Sequence, residues 1–238
     1  MNQLSLDDIT LSKEAKDANA EMLTSAVEWA KEQYSTLDLP FEKHEKKLQK
    51  EYKEQLEHIW KQIAYSIYLI KDALEYMQAT QLPQQNKELF SSIDNILKAL
   101  KNPPESIQEE QLMDVFHLSW DFMDFAFQLA FRFLDNKEYE KGESVFHFLI
   151  LLHRDVPDYM LYLAHAQFLQ KKYTQAAENY MLFLLHDEEH TDALFNMAYC
   201  LYETKEYAMA LSVIEKIEKL TQKEEVIELK TRCQKELK

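Results

Sequence analysis

Apolar residues recur every three or four positions along most of the chain, and this spacing predicts helices. The longest such pattern runs over residues 41–79 and predicts one long amphipathic helix. Its apolar positions are Tyr52, Leu56, Ile59, Ile63, Ile67, Ile70, Leu74 and Met77. A turn at Pro83 separates it from a second predicted helix over residues 87–100. The apolar stripe of that helix is Phe90, Ile93, Leu97 and Leu100.

Two interpretations of this N-terminal region stay open. In the first, the two stripes pack against each other as an ordinary helical hairpin. In the second, the stripe on residues 52–77 also pairs with a second copy of the chain, because its spacing is close to a heptad, and the protein is a homodimer. An earlier pattern over residues 12–34 predicts a further helix with Trp29 on its apolar face.

Beyond residue 120 the sequence repeats itself every 34 residues, which is the length of a tetratricopeptide repeat (TPR). The period is marked by Tyr139, Tyr173 and Tyr207, and by Ala130, Ala164 and Ala198. Repeats that begin at about 123, 157 and 191 place these alanines at position 8, and Gly142, Ala176 and Ala210 at position 20. Helices A and B of one repeat come closest at these two positions, so only small residues fit there.

The predicted fold is therefore all-α. Residues 1–104 form an N-terminal helical region that contains the hairpin, and residues 105–238 form a TPR domain with three repeats. The last segment, residues 221–238, is predicted to be a capping helix, since it carries one apolar side among many Lys and Glu residues. That side consists of Val226, Leu229, Cys233 and Leu237.

Helix A of each repeat is expected to line a concave groove through its positions 5, 9 and 12. The nine residues at these positions are Phe127, Phe131, Leu134, Leu161, His165, Phe168, Phe195, Tyr199 and Tyr202. Eight of the nine are apolar or aromatic. They predict a groove that binds an apolar segment of a partner protein. The alternative is a TPR adaptor or assembly component, in which the N-terminal helices of the same chain fill the groove and the outer surface makes the contacts.

Composition excludes several classes of function. One glycine in 238 residues is too few for the usual nucleotide-binding loops, where backbone N–H groups approach a phosphate, and no cofactor is expected. A net charge of −15 repels nucleic acid and anionic membranes. No stretch has the roughly 18 apolar residues of a membrane helix, and residues 1–10 lack the apolar core of a secretory signal. Cys200 and Cys233 lack a CxxC spacing and suit a reducing cytoplasm.

One motif raises the question of an enzyme. His186-Asp187-Glu188-Glu189-His190 matches the H-x-x-E-H pattern of inverted zinc peptidases. These residues fall in the turn between the second and third repeats, where a solvated polar turn accounts for them better than zinc does. The sequence shows no set of nucleophile, base and orienting group, so neither a metal site nor an enzymatic activity is expected.

Some TPR domains act as clamps that bind acidic C-termini through Lys, Arg and Asn at fixed groove positions. This chain has Phe127, Phe131, Tyr162, Asp192 and Asn196 at those positions. Because Asp192 would repel a carboxylate and the first three residues are aromatic, a clamp of this kind is not expected.

Several local sequences together indicate a family. The first repeat contains Leu129-Ala130-Phe131, the aromatic Phe127 and the turn Lys137-Glu138-Tyr139-Glu140, and the third contains Ala198-Tyr199-Cys200-Leu201. With the three repeats, the acidic pI and the apolar groove, they resemble the class II type III secretion chaperones, the SycD/LcrH group, over about residues 110–220. The resemblance implies a bacterial cytoplasmic chaperone that holds secreted hydrophobic translocator proteins before export. It also implies that Phe127 and Phe131 are groove aromatics.

Overall fold

The computed structural model describes residues 62–76, 86–101 and 112–237, and every regular element within these ranges is a helix. The predicted helix over residues 12–34 lies outside the described residues, as does the predicted helix over 41–79 except for residues 62–76. By its internal contacts the chain divides into two units, Met1–Phe122 and Met123–Lys238, and each is described by itself. The predicted division between residues 104 and 105 stays a prediction.

In the first unit, residues 62–76 form helix α1, which is followed by α2, Asn86–Lys101, and by the short helix α3, Leu112–Val115. The predicted stripe on α1 is buried, with Ile63, Ile67, Ile70 and Leu74 all under a tenth exposed. These side chains are thus buried within a single chain, and both the hairpin and the pairing with a second copy stay predictions.

The second unit consists of successive antiparallel helix pairs and a final helix. Its helices are α4 (Trp120–Asp135, which begins three residues before the boundary), α5 (Tyr139–Leu152), α6 (Pro157–Leu169), α7 (Tyr173–Leu184), α8 (Thr191–Glu203), α9 (Tyr207–Leu220) and α10 (Glu224–Glu236). The three B helices α5, α7 and α9 begin at Tyr139, Tyr173 and Tyr207, which are the tyrosines that marked the period. The all-α, TPR-like fold predicted from the sequence is confirmed.

The small residues lie where helices A and B approach each other. Ala130, Ala164, Ala176, Ala198 and Ala210 are completely buried. At the remaining position, a Cβ atom added to Gly142 would lie 2.8 Å from Leu134 Cδ2 and 3.2 Å from the carbonyl oxygen of Ala130. Gly142 therefore serves close helix packing, as its place in the repeat predicted.

Each turn between helix A and helix B is closed by a lysine in the left-handed conformation. Lys137, Lys171 and Lys205 have φ angles of 63, 62 and 65°. The residue after each lysine donates its N–H to the carbonyl five residues before it: Glu138 to Phe133 at 2.8 Å, Lys172 to Gln167 at 2.9 Å and Glu206 to Leu201 at 2.8 Å. This is the Schellman geometry that usually uses glycine. The use of lysine instead explains how the fold manages with a single glycine.

A buried carboxylate joins the first helix pair to the second. Glu143 on α5 accepts hydrogen bonds from Gln167 of α6 at 3.2 Å, from Gln170 at 2.7 Å and from the Lys172 ammonium at 2.6 Å. Burial by itself would raise the pKa of Glu143, but the hydrogen bonds from His147, Lys172 and Gln170 and the charge of Lys172 outweigh it and hold the pKa at about 2. Glu143 is therefore ionised at neutral pH.

The capping helix α10 buries three of its four predicted apolar residues. Val226, Leu229 and Cys233 belong to the core that the second and third helix pairs share. Leu237 is instead 54% exposed, because it follows the last residue of the helix. The opposite side of α10 is left to polar residues, as a terminal helix requires.

Candidate peptide-binding groove

The nine predicted lining residues lie on the three A helices, α4, α6 and α8, and every one of them is half-buried. Their inner sides contact the core: Leu161, Phe168, Phe195, Tyr199 and Tyr202 all pack against the buried residues of the second and third helix pairs. Seven of the nine carry a ring, and we call these seven residues the row. Because the rings are held on their inner side and partly exposed on the other, they can bind apolar groups without a large rearrangement.

The first part of the row is a cluster of aromatic rings that spans two repeats. The centroids of Phe127 and Phe131 lie 4.9 Å apart in an edge-to-face arrangement. Both rings contact Tyr162 of α6, with centroid distances of 5.6 and 4.4 Å, and Phe127 also contacts Tyr159 at 5.5 Å. Phe146 of α5 contacts the cluster on its core side, with its ring centroid 5.9 Å from that of Phe127, and is fully buried. The contacts fix the orientation of Phe127 and Phe131.

The second part of the row joins the second repeat to the third. Phe168 contacts Tyr173 at 6.0 Å and Tyr199 at 5.6 Å, and the two tyrosine rings lie 6.1 Å apart. His165 stacks nearly parallel to Phe168, with a centroid distance of 6.4 Å. These residues carry hydroxyl and imidazole groups, so this part of the row is more polar than the phenylalanine cluster before it.

The last part of the row lies against the capping helix. Tyr202 contacts Tyr207 at 5.7 Å, and the guanidinium carbon of Arg232 on α10 lies 4.4 Å from the centroid of the Tyr202 ring. Tyr202 also raises the pKa of Arg232 through a hydrogen bond. A cation therefore lies at one end of a face whose nine predicted lining residues are uncharged.

Leu134 is the predicted lining residue with a clear second role. Its Cδ2 atom lies in the narrow space above Gly142, so it fills the contact between helices α4 and α5. The structure thus brings Phe127 and Phe131 together in one cluster, and His165, Phe168 and Tyr199 in another, while Leu134 contributes to packing within its own repeat.

Three aromatic residues that contact the predicted lining residues were missed by the choice of positions 5, 9 and 12; Tyr159 is buried and the other two are half-buried. Tyr159 and Tyr162 occupy positions 3 and 6 of α6, and Tyr173 is the first residue of α7. Their signal was present in the sequence, since positions 5 and 6 of a helix are only about 100° apart and both can reach a neighbouring helix A. Arg232 was missed because α10 begins at Glu224, 33 residues after Thr191, and not at the 34-residue period.

The predicted lining residues themselves are uncharged at pH 7, and the charges of Arg232 and Glu203 lie beside them at the end near the capping helix. Burial lowers the pKa of His165, so its imidazole is uncharged. Burial, together with the nearby Glu203 carboxylate, raises the pKa of Tyr199 and of Tyr173. Asp192, the acidic residue at a clamp position, is exposed and pairs with Lys223 at 3.1 Å.

The H-x-x-E-H motif lies between α7 and α8, where His190 caps helix α8. Its Nδ1 atom accepts a hydrogen bond from the backbone N–H of Ala193 at 3.2 Å. His186, Glu188 and Glu189 are exposed, and Glu188 pairs with Lys216 at 3.2 Å. Within the described ranges, no three His, Cys, Asp or Glu side chains are grouped so as to hold a metal ion. Among those residues, too, no helix combines the length and hydropathy needed to cross a bilayer.

Comparison with known proteins gives matches among solved structures. The translocator chaperone SycD of the Yersinia enterocolitica type III secretion system is 26% identical, over 54% of this chain and 96% of its own, with a TM-score of 0.42. The structure of SycD with a peptide of the translocator YopD gives 28% identity over 50% of this chain and 92% of that chain, with a TM-score of 0.42. A type III secretion complex from Aeromonas hydrophila gives 20%, 60%, 93% and 0.45 for the same quantities.

All three are structures of type III secretion proteins. They correspond to between half and three fifths of this chain. No family model and no curated protein matches the sequence.

Proposed function

We propose that this protein is a bacterial type III secretion chaperone, which holds a hydrophobic segment of translocator proteins in its groove and keeps them soluble in the cytoplasm before export. The observation that carries the proposal is the half-buried row of rings on α4, α6 and α8. Translocators are chosen as the class of cargo because the local sequences around Phe127, Phe131 and Tyr199 resemble those of the class II chaperones.

The chemistry of the row favours an apolar occupant. Solvent-exposed aromatic surface loses free energy when a partner covers it, at about 25 cal/mol per Å². A patch of about 400 Å² would contribute ~10 kcal/mol before the costs of association are subtracted. A segment destined for insertion into a membrane has the apolar side chains that such a patch needs.

The electrostatics also disfavour other occupants. His165 is neutral because burial lowers its pKa, and none of the other eight lining residues is charged. A strongly charged segment would gain little from these rings and would lose its hydration on binding. Nucleic acid is repelled by the net charge of −15.

A double substitution in the full chain tests the proposal. Phe131→Asp with Tyr199→Asp places a carboxylate in each of the two ring clusters, which burial of an apolar segment cannot tolerate. When the variant is co-expressed with the translocators of the same bacterium, we expect capture and solubility of the translocators to fall at least tenfold. Circular dichroism should show unchanged helicity, and this check is needed because both side chains also contact neighbouring rings.

The matched control is Leu185→Asp, directly after α7, with Met181→Asp on α7, because these side chains are 77% and 49% exposed and lie outside the row. This control should capture translocators as well as the natural chain does. If the folded groove variant retained full capture, the groove would not be the binding site. That result would favour the alternative, an adaptor whose groove is occupied by its own N-terminal helices.

A further inference from the structure

The contact pattern of the row continues for one step beyond the third repeat. Phe168, at position 12 of α6, contacts Tyr173 at 6.0 Å and Tyr199 at 5.6 Å. Tyr202, at position 12 of α8, contacts Tyr207 at 5.7 Å and Arg232 at 4.4 Å. Arg232 therefore takes the place against Tyr202 that Tyr199 takes against Phe168.

The helix register gives the same equivalence independently. Helix α8 begins at Thr191 and α10 begins at Glu224, so the ninth residues of the two helices are Tyr199 and Arg232. The tenth residues are Cys200 and Cys233, and both are completely buried. At positions 9 and 10, helix α10 thus places its side chains as helix A of the third repeat does, with Arg232 at the lining position.

Arg232 has hydrogen-bonding capacity left for a ligand. A guanidinium has five N–H donors in a planar fork, and Arg232 is exposed with its interactions directed to Tyr202. Among the described residues no carboxylate pairs with it within 4 Å. The charge of Glu203 contributes to the raised pKa of Arg232, but the Glu203 carboxylate interacts with the Tyr199 hydroxyl. The fork matches a carboxylate, which it can bind through two parallel hydrogen bonds.

We propose that α10 is a fourth lining helix of the groove and that Arg232 binds an Asp or Glu side chain of the captured segment. This inference rests on the proposed function and adds a pattern to it. The segment has large apolar side chains at the end that lies on Phe127 and Phe131, and an acidic residue at the end that lies on Arg232. Arg232 is thus a specificity-determining residue beside nine lining residues that are themselves uncharged.

A display library of random peptides tests the pattern without a known cargo. Peptides of about 15 residues can extend over ~50 Å, which is enough to reach along the row. Selection on the natural full-length chain should enrich apolar residues together with an Asp or Glu at a fixed distance from them. Selection on Arg232→Gln should enrich the same apolar residues and lose the acidic one.

Affinities of a selected peptide and of its Asp→Asn or Glu→Gln counterpart give the size of the effect. On the natural chain the acidic peptide should bind about tenfold more tightly, as expected for one charge-assisted pair. On Arg232→Gln the two peptides should bind equally. Glu203→Gln should instead strengthen binding of the acidic peptide, because it removes a nearby like charge.

The control is Lys230→Gln, which removes one positive charge from the same helix. The ammonium of Lys230 pairs with Glu218 of α9 at 2.7 Å, so it belongs to the contact with helix B. It should leave the tenfold preference intact. Equal binding of the two peptides to the natural chain, with both lost on Phe131→Asp, would overturn the role of Arg232 and leave the groove standing. Selection of no peptide at all would overturn both proposals.

Discussion

At the scale of single residues, the lysines in the A–B turns place an ordinary side chain where glycine is normally found. Lys137, Lys171 and Lys205 all have φ angles above 60°. The left-handed region costs a residue with a Cβ atom roughly 1–2 kcal/mol. Each turn is therefore a local weakness that the surrounding helix pair must offset.

Lys171→Gly relieves this cost. We expect the free energy of unfolding to rise by about 0.5–1 kcal/mol, which is less than the full strain because glycine also gains freedom in the unfolded chain. Chemical denaturation followed by circular dichroism measures it. Lys171→Ala is the control, since it removes the same side chain but keeps the Cβ atom; a gain as large as that of glycine would show that strain is not the cause.

Glu143 gives a prediction about pH. Its pKa in the folded protein is about 2, below the ordinary value of 4.5, so the ionised form stabilises the fold. The stabilisation is complete above pH 4.5 and is lost as the pH falls from 4.5 toward 2. Glu143→Gln should lower the free energy of unfolding by about 2 kcal/mol at pH 7, a value reduced for solvent screening at the Lys172 end of the pair.

The difference between Glu143→Gln and the natural chain should therefore shrink toward zero as the pH approaches 2. Glu188→Gln is the matched control, because its pair with Lys216 is exposed on both sides. That substitution should change the stability by no more than about 0.5 kcal/mol at any pH. A pH-independent effect of Glu143→Gln would mean that packing, and not ionisation, accounts for the loss.

At the scale of helices, the contact between α4 and α5 depends on Gly142 and Leu134 together. Sequence reasoning alone expects Gly142→Ala to be tolerated or stabilising by about 0.5–1 kcal/mol, since alanine is the better helix former. The structure adds an opposing contribution, because the new Cβ atom would lie 2.8 Å from Leu134 Cδ2. The two effects should nearly cancel, and Gly142→Ala is expected to change stability little.

A double-mutant cycle separates the two effects. In a Leu134→Ala background, the space above residue 142 is open, so Gly142→Ala should become stabilising by about 0.5–1 kcal/mol. Thermal or denaturant unfolding of the four proteins gives the coupling. Strict additivity of the two substitutions would show that Leu134 does not limit the space at this contact.

The 34-residue spacing of the repeats followed directly from the sequence, whereas the register of the cap did not. Tyr139, Tyr173 and Tyr207 begin α5, α7 and α9, because identical packing in successive repeats requires identical spacing. A strict 34-residue period would place Cys233 at position 9 of the last helix. The helix begins at Glu224, 33 residues after Thr191, so Arg232 takes that position. Because this last connection is one residue shorter, the 34-residue pattern did not predict Arg232 at the lining position.

At the scale of the whole molecule, the sequence indicated the groove more fully than the N-terminal region. Position 9 residues Phe131, His165 and Tyr199 are all half-buried in ring contacts, since a repeat fixes where its helix A faces. Tyr162 lay outside the three chosen positions although position 6 is close to position 5, and its contacts with Phe127 and Phe131 of the preceding repeat give it its place in the row. Residues 1–104 have no repeat, so only their helical character followed from the spacing.

The lysine turns also have a consequence for proteolysis. Trypsin cleaves after lysine, and Lys137, Lys171 and Lys205 are all exposed at the surface. A protease needs several residues in extended form, whereas the hydrogen bonds across each turn keep the backbone tightly wound. Cleavage at these lysines therefore requires local opening of the helix pair. Each helix pair of the TPR-like unit thus has one tryptic site whose cleavage rate reports local opening. A peptide bound in the groove should slow cleavage at all three lysines.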